Sequence, residues 1–131
     1  MKSLCCDDNV ESTLLIRIYL MDLKKLTLRT PNESELLLIR KLMEAGGLKE
    51  NDLSELKVSD IDDGNMGSLL LFLNGRYEER ETSNFISEYE FDDEDGIPVL
   101  ASLYSDHSGV ISELDIWKVN YQPLIRIPSN L

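Results

Sequence analysis

Cysteine is nearly absent from this chain, and the two it has, Cys5 and Cys6, are neighbours. Adjacent cysteines bridge each other only with strain, so the disulfide framework of a small secreted domain is excluded and a reducing cytoplasm is the expected compartment. Histidine is scarcer still. The single His107 lies in the polar run Ser105-Asp106-His107-Ser108-Gly109, where a solvated turn side chain is expected rather than a general base. No apolar run is long enough to span a bilayer; Leu14 to Met21 is short and carries Arg17. The start M-K-S-L-C-C-D-D has no apolar segment ahead of its acids, so no signal peptide is expected. Glycines do not take phosphate-cradling spacing, and Gly67-Ser68 lacks the G-x-S-x-G pattern of hydrolases. On these absences no catalytic residue is assigned, and no cofactor or metal is expected.

Positive charge is also short. Thirteen Lys and Arg face 25 Asp and Glu, for a net charge of −12. The imbalance is uneven: residues 1–48 are neutral, residues 49–83 carry −5 and residues 84–131 carry −7, with only Lys118 and Arg126 basic in that last third. A field of this sign repels nucleic acid and anionic membranes and favours a basic protein partner. The alternative is that the acidity serves solubility alone. Oligomeric state is not encoded in any readable pattern.

What is present suits one domain: 131 residues, 42% of them apolar, enough for one ordinary core. Residues 1–27 read as an N-terminal extension or helix, with 11–25 the helical part, ahead of a single α+β domain over 28–131. In that domain Thr30, Pro31 and Glu33 read as N-cap, first-turn proline and capping-box acid. Leu36, Ile39 and Met43, flanked by Leu38 and Leu42, form the apolar stripe of the helix, and Gly46-Gly47 ends it.

Strands are expected at 55–61, 67–73 and 84–91, then from Ile97 to Leu103 and from Val110 to Trp117, with a short final one in 121–127. The continuous run Leu69-Leu70-Leu71-Phe72-Leu73 reads as a central strand under the helix. Alternation puts Phe85, Ser87, Tyr89 and Phe91 on one face and Ile111, Glu113, Asp115 and Trp117 on another. The predicted architecture is an antiparallel sheet of about five strands with one or two helices packed on one face.

Two constellations stand out chemically. Glu113 and Asp115 share a strand face with Trp117, and Glu88 with Glu90 do the same two strands earlier. If both pairs point the same way, the sheet offers carboxylates beside an aromatic anchor for a basic partner. The acidic turn Asp92 to Gly96 suggests a cation loop, but it fails the calcium template. With Gly96 at the sixth position, Phe91 and Ser102 fall where acids are needed. The same test on Gly64 puts Ile61 at the third.

Four stretches carry a resemblance: L-R-T-P-N-E-S-E-L-L-L-I, D-D-G-N-M-G-S-L at Asp62 to Leu69, D-E-D-G at Asp93 to Gly96, and S-E-L-D-I-W-K-V-N-Y-Q-P-L at Ser112 to Leu124. Over about Leu28 to Leu124 the chain resembles a bacterial family of small domains of unknown function. The resemblance implies no particular reaction. It directs attention to Asp62, Asp63, Ser68, Asp93, Asp95, Glu113, Asp115, Trp117 and Lys118 as one polar surface, with Gly64, Gly67 and Gly96 relieving turns and Met66 beside them. Size and acidity are similar to those of immunity proteins, which neutralise toxins. The expected function is therefore a small acidic cytoplasmic protein-binding module, most concretely an immunity-type inhibitor of a basic toxin. The alternatives are a metal-dependent enzyme built on the turn aspartates and a structural domain with no ligand.

Overall fold

The computed structural model describes residues 27–49, 53–73 and 81–131; the helix expected over 11–25 and the whole extension up to residue 26 lie outside them. The elements in order are α1 (Glu33–Ala45), β1 (Lys57–Asp60), β2 (Leu69–Phe72), β3 (Asn84–Asp92), β4 (Pro98–Ser105) and β5 (Ile111–Lys118). All five strands form one antiparallel sheet in the order β1-β2-β5-β4-β3. The α+β class is as predicted, with one helix among the described residues.

The helix starts two residues later than its cap was predicted. Asn32 is the N-cap: its side chain accepts from the Glu35 N–H at 2.8 Å, and Glu35 Oε1 accepts from the Asn32 N–H at 2.9 Å. Thr30 instead receives the Lys57 ammonium on its hydroxyl at 3.0 Å. The sequence T-P-N-E-S-E holds two overlapping capping frames. Arg29 selects the second, because its guanidinium grips both oxygens of Glu35 at 2.9 and 2.8 Å and also reaches Asp60. Asn32→Ala is expected to lose about 1 kcal/mol, whereas Thr30→Ala should stay within about 0.5 kcal/mol of wild type; urea titration of the two variants measures both.

The helix ends in a Schellman motif. Leu48 N–H donates to Met43 O at 2.9 Å and Gly47 N–H to Glu44 O at 3.1 Å. Gly47 takes a φ of +75°, which only glycine adopts cheaply. Gly46 is required for a different reason: a Cβ there would collide with the Ile86 side chain.

The buried stripe is Leu38, Ile39, Leu42 and Met43, while Leu36 is only partly buried and Leu37 is exposed. It packs over β3 and β4 rather than over β2 as expected, and Ser87 Oγ on β3 donates to the Leu42 carbonyl. The central strand is β5, since β2 has only the short β1 outside it. The run Leu69 to Leu73 is still buried throughout, as a strand with neighbours on both sides should be.

Two irregularities reassign side chains. Between Phe85 and Ser87 the register with β4 shifts by one residue, so Phe85 pairs with Tyr104 while Ser87 pairs with Leu103. Phe85 therefore leaves the face of Ser87, Tyr89 and Phe91. A second shift at Tyr104/Ser105 pairs Ser105 with Ile111, which places Ile111 in the core rather than beside Glu113. A one-residue slip flips a side chain to the opposite face, and simple alternation could not anticipate either bulge. The tail over 121–127 forms no strand; it is held by side chains described below.

Candidate binding surface

The sheet has two unlike faces. Val99, Ala101, Leu103, Leu114 and Ile116 point to the helix side and are buried. The other face is read off the register in rows: Phe85, Tyr104 and Glu113; then Glu88, Ser102 and Asp115; then Glu90, Leu100 and Trp117. Glu88 and Glu90 on β3 thus do share one face with Glu113, Asp115 and Trp117 on β5, with β4 between them. Towards β2 this face closes over Leu70 and Phe72, which are buried.

At one end of this face, on the middle strand β4, sits Tyr104. Burial pushes its phenol above the ordinary value, and the negative charges of Asp115, Glu113 and Glu88 push the same way, against a hydrogen bond with Ser102. Its ring meets Phe85 edge-on, centroids 5.8 Å apart. Glu113 is anchored by the Thr82 hydroxyl at 3.1 Å. At the other end Trp117 is 41% exposed and Tyr121 68% exposed, with ring centroids 6.0 Å apart. Tyr121 holds a φ of +63°, a conformation costing about 1–2 kcal/mol for a side chain of this size. It is held by Tyr121 N–H donating to Lys118 O at 2.8 Å. The arrangement is an acidic patch bordered by exposed aromatic rings, suited to a cation that also has apolar surface.

The remaining candidates gather elsewhere, at one corner of the sheet. Lys118 is 1% exposed on the helix side of β5, and its ammonium donates to Asp93 and Asp95, each at 2.8 Å. Asp93 also accepts from the N–H groups of Ile125 at 2.7 Å, Arg126 at 3.1 Å and Glu94 at 2.8 Å. Burial alone would raise the Asp93 carboxyl; the bonds from Lys118 and these three N–H groups hold it down at about 2. The Lys118 ammonium is raised despite its own burial, by the same two carboxylates. It stands where a cation bound by these aspartates would have to sit, so the turn is built around an internal cation.

The D-D-G-N-M-G-S loop joins this corner. Asp63 accepts from Met66 N–H at 3.0 Å and Ser68 N–H at 3.1 Å, while Asp62 is exposed. Ser68 Oγ accepts from Ile116 N–H at 2.9 Å and donates back to Ile116 O at 3.3 Å, extending the β2–β5 ladder with a side chain. Asn65 O accepts from Leu124 N–H at 3.0 Å and Met66 Sδ from Lys118 N–H at 3.4 Å. Gly67, at φ +103°, lies close against Leu124 and Ile116. Loop, strand end, acidic turn and tail therefore converge, and their polar atoms bond to one another. Tyr104, Phe85 and Tyr121 are surface residues that sequence reasoning missed. The bulge that places Phe85 and the left-handed turn that places Tyr121 left no mark in the periodicity, whereas Tyr104 takes its face by plain alternation along β4.

His107 is exposed in the β4–β5 turn, its Nε2 3.5 Å from Glu81. Among the described residues no group of three or more His, Cys, Asp or Glu is arranged to hold a metal ion, and no helix is long and apolar enough to cross a membrane.

Compared with known proteins, the chain matches over residues 28–128 the model of a family described as Domain of unknown function (DUF6984). No curated protein and no solved structure matches it.

Proposed function

The chain belongs to this family of domains of unknown function, and from that premise we propose that it is a small acidic cytoplasmic module that binds a basic protein. The observation that carries the reading is the placement of Glu88, Glu90, Glu113 and Asp115 on the one sheet face that also exposes Phe85 and Trp117. Large aromatics in a desolvated centre dominate interface energies, and surrounding charges speed encounter with a partner of opposite sign. An immunity-type inhibitor of a basic bacterial toxin is the most concrete form of this function. Asp93, Asp95, Lys118, Asp63 and Ser68 serve it indirectly in this reading, by fixing the end of β5 that carries Trp117 and the tail that carries Tyr121.

The test begins with capture of a basic partner from the native host and continues with purified components. Association should slow steeply as salt rises. Trp117→Ala should weaken binding by about 2 kcal/mol or more through faster dissociation. Because Trp117 is 41% exposed and its ring lies against Tyr121, a melting curve accompanies the binding data to show that the variant stays folded. Glu113→Gln with Asp115→Asn should chiefly reduce the association rate. A partner that binds Trp117→Ala and the charge-neutralised variant as tightly and as fast as wild type would sink the proposal.

A further inference from the structure

The two edges of the sheet are not equivalent. The outer side of β1 is bridged by Arg29, whose N–H donates to Val58 O at 2.9 Å and whose carbonyl accepts from Val58 N–H at 2.8 Å. The outer side of β3, nine residues long, pairs with no strand among the described residues.

The direction of its free groups follows from the hairpin that closes it. Asp93 N–H donates to Ile97 O at 2.9 Å. Bonded and non-bonded pairs alternate along an antiparallel ladder. Phe91, Tyr89 and Ser87 therefore exchange bonds with Val99, Ala101 and Leu103, while Asp92, Glu90 and Glu88 turn their N–H and C=O outward. Pro98 agrees: paired with Asp92, it gives its carbonyl to Val119 N–H on the β5 side, at 3.1 Å. The residues with outward backbone groups are thus three acids at alternate positions. Register puts all three side chains on the acidic, aromatic face, and all three are exposed.

We propose that this edge takes an extended basic segment of a partner protein as a sixth strand, with Lys or Arg at alternate positions beside Glu88, Glu90 and Asp92. The proposal rests on the reading of the acidic face as a protein-binding surface and names how the partner enters it. Main-chain bonds to a sheet edge supply affinity, and alternate side chains supply specificity. Residues directly across an antiparallel pair lie about 5 Å apart at Cβ, close enough for opposite charges to pair. The intervening residues of the segment fall on the helix side, beside Ile86 and Tyr89, so they are apolar. A second copy of the same edge would set carboxylate against carboxylate, and this excludes self-pairing.

The test uses the full chain and three synthetic peptides: one alternating Lys and Val, a block isomer of the same composition, and the alternating peptide N-methylated on the amides that face the edge. Calorimetry should show the alternating peptide binding at least about tenfold tighter than the other two, because only it keeps charge register and main-chain donors together. Amide exchange at Glu88, Glu90 and Asp92 should slow on binding. Glu88→Lys with Glu90→Lys should abolish the preference while leaving the melting temperature near wild type. Equal affinity for the N-methylated peptide overturns strand addition but leaves the face reading standing, since charge alone would then bind. Binding without protection of those three amides does the same. Failure of all three peptides also overturns strand addition. The face reading is judged separately, by the Trp117 and salt dependence of its own partner.

Discussion

Asp93→Ala should be the most damaging single substitution in the acidic third of the chain, costing about 3–5 kcal/mol, the range for breaking a buried ion pair from one side. Asp93 and Lys118 have side-chain exposures of 0% and 1%, so neither charge can retreat to water when the other is lost. The same substitution also strands the N–H groups of Ile125 and Arg126. A domain of this size holds only about 5–15 kcal/mol in total, so the variant should be partly unfolded near physiological temperature. Urea titration gives the loss. The double variant Asp93→Leu with Lys118→Met should be more stable than Asp93→Ala alone, because it leaves no buried ammonium held by the half-exposed Asp95 alone. A double variant that is less stable than the single one would show that the backbone bonds, not the buried charge, set the cost.

The same carboxyl imposes a pH signature. Its folded value, about 2, lies below the ordinary carboxylate value of roughly 3.9 expected in the unfolded chain. The unfolded state therefore binds more protons between these limits, and stability rises with pH there. This contribution is complete above about pH 4 and is lost as the pH falls towards 2. In Asp93→Asn that part of the acid-unfolding curve should flatten. An unchanged acid limb would mean that other carboxylates govern it.

Ile39→Ala is the second large effect, about 2–5 kcal/mol for a buried aliphatic side chain cut back to Ala. Ile39 is completely buried, on the face of α1 that meets β3 and β4. Leu37, two residues earlier and 43% exposed, is the control: Leu37→Ala should change stability by no more than about 0.5 kcal/mol. A midpoint shift with an unchanged urea slope for Ile39→Ala marks a loss of packing rather than a change in the denatured ensemble. Comparable losses in the two variants would refute the orientation of the helix.

The amino-acid sequence determined the elements whose cause is local. The apolar spacing of Leu38, Ile39, Leu42 and Met43 makes one helix face. The pair Gly46-Gly47 ends that helix, and the Asp and Gly clusters at 62–67, 92–96 and 105–109 break the chain into strands. The shared side of Glu113, Asp115 and Trp117 follows from the two-residue period of a strand. Only the tertiary structure decided what depends on distant partners. Arg29, reaching Glu35 and Asp60 together, chose Asn32 over Thr30 as the cap. The pairing of β2 with β5 made β5 central and moved the helix over β3 and β4. Bulges at Ile86 and at Ser112 turned Phe85 out to the acidic face and Ile111 into the core. Lys118, one of two basic residues in the acidic third, reads from the chain as a polar surface residue paired with a neighbouring acid; only the fold buried it against Asp93 and Asp95 as an internal counter-ion. Period and composition act within a few residues, whereas registers, ion pairs and edges are set by which strands meet. The acidic composition and the two carboxylate pairs could be read from the chain; that both pairs lie on the same side of the sheet could not.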